Sequence, residues 1–149
     1  MPRKGGALTV KNIQKKNDLY VLTKAKNLTK YIITVTEKSP KKFRFTLVVR
    51  LQNYALDVVE LICRANASFD REERLTLQKQ ARERLQLLDY FAGIAFEQEC
   101  ILFKQYEQIS KLQAECLLYL GKWMASTQKT VSLPEKREKT TGGRRYAKA

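Results

Sequence analysis

Histidine is absent from this 149-residue chain, and glycine and proline are scarce, at six and three residues. Each shortage excludes something. Without imidazole the chain lacks the commonest general base and the commonest metal ligand. Asp57 and Glu60 stand three apart, as paired carboxylates do in metal-binding bundles, but in those bundles histidines complete the site. Here Arg50, Arg64 or Arg82 are the expected partners of the two carboxylates. Glycine is too sparse to form a phosphate loop of the Walker or Rossmann type. Only three cysteines occur, Cys63, Cys100 and Cys116, and their spacing fits no metal site. All three lie in apolar-patterned stretches and are expected to pack as small hydrophobes. Their odd number and the lack of a secretory leader point to the cytoplasm. No apolar run reaches about 18 residues, so no membrane span is expected. These absences predict a protein that is not an enzyme and carries no cofactor or metal.

Acidic residues are also in deficit, with 15 Asp and Glu against 29 Lys and Arg, a formal net charge of +14. The excess is unevenly placed. Residues 1–36 carry eight basic residues and one acidic, and residues 37–44 carry four and one. Residues 129–149 carry seven and two, whereas residues 45–99 carry seven and nine. Charge added only for solubility would be spread more evenly. Clustered cations favour a polyanion through counterion release, and nucleic acid is the commonest such partner. The candidate contacts are Lys11, Lys15 and Lys16 in the amino-terminal arm, Lys30 beyond it, Lys38, Lys41, Lys42 and Arg44 in the densest cluster, and Arg144 and Arg145 in the tail. The tyrosines are scattered without the stacking pattern of a base-reading sheet. Trp123 lies on an apolar stripe and reads as a core anchor. Binding through phosphate and shape is therefore expected, without base-sequence reading.

Long stretches free of glycine and proline favour helices. After a basic arm at residues 1–17, Leu22, Ala25, Leu28, Ile32 and Val35 recur every three or four residues, one face of a helix running to Thr36. Pro40 marks the break. A second helix is expected from Phe43 to Ala67, with a broad stripe from Leu47, Leu51, Tyr54, Val58, Leu61 and Ala65. Asp70 and Glu73 have the spacing of a capping box and open a third helix. The third turn falls between Glu97 and Phe103, where no glycine or proline marks it. A fourth helix carries Ile109, Leu112, Cys116, Leu120 and Trp123 and is expected to end near Ser126, followed by a flexible basic tail at residues 128–149. Short connections between long helices describe an all-α, up-and-down antiparallel four-helix bundle over residues 18–127. That topology puts the first loop opposite the second, with Arg71, and beside the third, with Lys104.

Four short segments also resemble a known family. They are Ser39 to Phe45, Arg64-Ala65-Asn66, Gln105 to Leu112, and Leu120-Gly121-Lys122-Trp123. In this order they resemble the bacterial four-helix-bundle family of accessory variability determinant proteins of diversity-generating retroelements, related to the intervening-sequence proteins encoded within large ribosomal RNA genes. The resemblance covers about residues 18–127 and excludes the arm and tail. It implies a ring-like homo-oligomer, a homopentamer, without catalytic activity. Such a protein associates with the retroelement's reverse transcriptase and template RNA and supports mutagenic complementary-DNA synthesis. The alternative is an RNA- or DNA-binding or protein-interaction bundle not tied to a retroelement.

Overall fold

The computed structural model describes residues 16–148, with side chains described for residues 20–129. Helix α1 spans Lys16–Thr36, α2 Val49–Ala67, α3 Arg71–Glu97 and α4 Phe103–Lys148. Between α1 and α2 lie a 3₁₀ turn, Lys41–Phe43, and a π-helical turn, Arg44–Val48. Helix α4 continues to Lys148, past the end expected near Ser126, while the side chains of the expected arm, residues 1–17, and tail, residues 128–149, fall largely outside those described.

The apolar repeat explains the assembly. Leu28 and Ile32 of α1, Leu51, Val58 and Ile62 of α2, Leu85 and Leu88 of α3, and Ile109, Cys116 and Leu120 of α4 are all fully buried in one core. Residues three and four apart share a helix face, so each helix contributes one seam. Burying each leucine or isoleucine contributes about 1.5–3 kcal/mol. Each helix packs against its neighbours in sequence, and α1 packs against α4 to close the ring.

Polar contacts fix the direction of the helices. Lys24 of α1 meets Glu115 of α4 at 3.6 Å, and the Ser39 hydroxyl donates to the Cys100 carbonyl at 2.8 Å. The first and third loops therefore meet at one end of the bundle. At the other end, Gln78 Nε2 donates to Thr127 Oγ1 at 3.1 Å, inside the core near the second loop. This is the antiparallel up-and-down arrangement expected from the loop lengths.

Several local expectations need correction. The second helix is not regular from Phe43; its first turns are 3₁₀ and π, and regular α-helix begins at Val49. Asp70 caps α3 by accepting from the Glu72 amide at 3.3 Å, but Glu73 accepts from the Ser68 hydroxyl at 3.0 Å, so the reciprocal box is not closed. Cys63 is exposed, because it falls on the outer side of α2, while Cys100 and Cys116 are buried. On α3, Gln78 is buried, whereas Arg82 and Ile94 are exposed. The carboxylate partners are Arg84 for Asp57 at 3.5 Å and Arg64 for Glu60 at 3.8 Å.

The unmarked third turn is a Schellman motif. Glu99 takes the left-handed conformation with φ 65°. The Cys100 amide donates to the Ala95 carbonyl at 2.7 Å, and the Glu99 amide donates to the Phe96 carbonyl at 2.9 Å. These are the two bonds by which a helix end satisfies its last carbonyls. Gln105 then reaches back to accept from the Leu102 amide at 2.8 Å and starts α4.

Candidate nucleic-acid interface

From Tyr20 to Arg44 the chain carries seven cations, Lys24, Lys26, Lys30, Lys38, Lys41, Lys42 and Arg44, and one acid, Glu37. The fold divides them by availability. Lys24 is half-buried, paired with Glu115, and lies 5.9 and 5.6 Å from the rings of Tyr20 and Tyr119. It is therefore held within the α1–α4 seam. Lys26, Lys30, Lys38, Lys41, Lys42 and Arg44 are all exposed, and none is among the three ion pairs of the described residues. Lys26 and Lys30 are one helical turn apart, and the line continues to Lys38 at the first loop. At 1.5 Å per residue, Lys26 lies roughly 15 Å from the end of α1 at Thr36. The result is a cationic edge running along α1 and turning over the loop end.

The loop end is more mixed. Lys104 stands near it on α4, but Glu97 and Glu99 close α3 there and are exposed. The hydrogen bond between Ser39 and Cys100 brings these carboxylates towards the first loop. The acids leave α1 and the start of α2 as the electrostatically favourable approach for a polyanion.

Behind the loop lies a cleft of about 370 Å³, lined by Lys41, Arg44, Phe45, Val49 and Gln52, with Glu37 on the α1 side. The Gln52 amide donates to Thr36 Oγ1 at 3.0 Å, and the Thr36 hydroxyl donates to the Ile32 carbonyl at 2.6 Å. These bonds fix the cleft wall. The π turn, Arg44–Val48, spreads the chain here: Phe43 packs against the core while Phe45 is 83% exposed. Lys42 lies 5.2 Å over the Phe43 ring. A larger hollow, about 440 Å³, lies between α2 and α3. Its cations Arg64 and Arg84 are already paired with Glu60 and Asp57.

Of the expected contacts, Lys41 and Arg44 share the cleft, Lys38 and Lys42 lie in the same connection between α1 and α2, and Lys30 lies on α1 within about two turns of its end. Lys11 and Lys15, and the side chains of Lys16, Arg144 and Arg145, lie outside the described residues. Sequence reasoning missed Lys26, whose four-residue spacing from Lys30 was the available signal. It also missed Phe45, which the expected regular helix treated as an ordinary entry residue. Trp123 is half-buried against the core, in line with an anchor. No cluster of three metal-binding side chains occurs among the described residues. No described helix is long and apolar enough to cross a membrane. Burial pushes the Cys116 thiol up from 9.0 to about 12, against the opposing pull of the Lys24 charge. Burial also raises Cys100, with the Ser39 hydrogen bond acting in the other direction.

Fold and site together define a basic four-helix bundle with an unpaired cationic edge. No family model matches the chain, and no curated protein matches it.

Proposed function

We propose that this protein is a non-catalytic, nucleic-acid-binding accessory subunit of a diversity-generating retroelement, associating with its reverse transcriptase and template RNA. The carrying observation is the row of unpaired cations from Lys26 to Arg44, which can neutralise phosphates without first breaking an internal ion pair. The choice of a reverse transcriptase rests on the resemblance of Ser39 to Phe45 and Leu120 to Trp123. Self-association into a ring, a pentamer under that resemblance, draws support from α2. There Leu56, which is not part of the loop-end cleft, is exposed on its outer side. A helix surface of this kind gains by covering.

Co-purification with the retroelement's reverse transcriptase and template RNA is the direct test. Recovery of both, with RNA affinity falling steeply in salt, is the expected result. Retained salt-sensitive RNA binding without the polymerase would favour the general nucleic-acid bundle. A salt slope near zero would end the nucleic-acid reading. Lys41→Glu with Lys42→Glu should weaken RNA binding without unfolding the bundle, since both side chains are exposed.

A further inference from the structure

The loop-end cleft has a composition that bare phosphate binding does not require. A lone exposed phenylalanine is ordinary, and Phe69 in the second loop, 99% exposed, is one such case. Phe45 differs in its setting. It forms one wall of a cleft of about 370 Å³ whose rim carries Lys41 and Arg44, both exposed and unpaired. Its ring meets no other aromatic ring among the described residues, unlike Tyr54, which is edge-on to Phe91, or Phe96, which is stacked on Tyr106. Val49 supplies a second apolar surface, and the amide of Gln52, held by Thr36, fixes the floor. Glu37 sits on the α1 side and repels phosphate from that wall. A charged backbone is thereby steered to the Lys41–Arg44 side.

From this arrangement we infer that the cleft binds an unpaired nucleotide of a single strand, with its base stacked on the Phe45 ring and its phosphate between Lys41 and Arg44. The inference rests on the nucleic-acid reading above and narrows it from any polyanion to single-stranded nucleic acid. A flat ring beside cations is the arrangement that sequence-tolerant single-strand binding uses, because every base has a stacking face. A base-paired nucleotide keeps its faces inside the duplex and cannot present one to Phe45. The cationic edge along α1 would carry the flanking backbone.

The test uses the full chain and three fluorescent probes of equal phosphate number: a single-stranded oligoribonucleotide, the same backbone with abasic positions, and a duplex. Wild-type protein is expected to bind the base-bearing single strand about tenfold more tightly than the abasic strand, and more tightly than the duplex. Phe45→Ala should erase that preference while leaving abasic binding unchanged. Phe45→Trp should retain the preference, which separates stacking from a fold defect. Circular dichroism should show the same helix content in all three proteins. Equal binding of all probes by wild type, with Phe45→Ala behaving alike, overturns the stacking inference and leaves phosphate binding standing. A Phe45→Ala variant that keeps the base preference but changes native mass assigns the ring to a contact between copies and also overturns it. Failure of wild type to bind any probe overturns both readings.

Discussion

Glu99 holds the most unusual backbone among the described residues, a non-glycine with φ 65° at the close of α3. An L side chain in this conformation crowds its carbonyl, at about 1–2 kcal/mol. Glycine relieves the crowding, though it also gains freedom in the unfolded chain. Glu99→Gly should therefore stabilise the bundle by about 0.5–1 kcal/mol, read as a rise in urea midpoint at unchanged slope; a fall would show that the glutamate side chain stabilises the turn. The buried thiol of Cys116 sets a second expectation. Its folded pKa is about 12 against an ordinary 9.0. The stability tied to this raised value is complete below about pH 9 and is lost as pH rises towards 12. Stability should thus decline over that window more steeply in wild type than in Cys116→Ala. In native protein at about pH 8, below the ordinary thiol range, Cys63 should react with a thiol reagent while the buried Cys100 and Cys116 stay protected until unfolding.

At the scale of the helices, the joint between α2 and α3 depends on one side chain. Arg74, from the first turn of α3, donates through Nε to the Ala65 carbonyl at 3.2 Å and through Nη2 to the Ser68 carbonyl at 2.8 Å. It adds a second donor to the Ala65 carbonyl, which also accepts from the Ser68 amide at 3.2 Å, and gives the Ser68 carbonyl a donor just beyond the end of α2. Hydrogen bonds from a charged group contribute about 1.5–3 kcal/mol. Arg74→Met keeps much of the stem and should cost about that amount in denaturant unfolding, whereas Arg71→Met, at an exposed position, should cost little. The helices themselves were readable because burial follows a three-and-four repeat that the residues display directly. The third turn was placed correctly, between Glu97 and Phe103, but neither its conformation nor the π turn was readable. Arg44 to Val48 carries the same apolar alternation whether the turn is regular or wide, and at the third turn a glutamate, Glu99, takes the left-handed position that a glycine would have advertised. The pairing of Ser68 with Glu73 was likewise hidden, because a capping-box spacing does not determine which hydroxyl comes nearest.

For the molecule as a whole, the question is how much of the +14 charge acts at one place. Segment composition singled out Lys38, Lys41, Lys42 and Arg44 as the densest cluster, but could not separate Lys24, which only the fold shows to be paired. Tyr20 and Lys129, the outermost described side chains, lie at the second-loop end, away from the first-loop cluster. From Tyr20 to Thr36 is about 24 Å along α1. Cations more than about 10 Å apart with no shared partner act independently. Lys41→Gln with Lys42→Gln should therefore reduce the log–log salt slope for single-stranded RNA by about 1.4, at roughly 0.7 for each phosphate left unneutralised. Lys24→Gln should leave the slope nearly unchanged, because its ammonium is committed to Glu115 and two tyrosine rings. Removal of residues 130–149 should lower affinity by a separate amount, additive with the loop substitutions to within about 0.5 kcal/mol. A coupling well above that would mean that the tail and the first loop grip the same stretch of strand, and the cationic edge would then be one part of a larger continuous site.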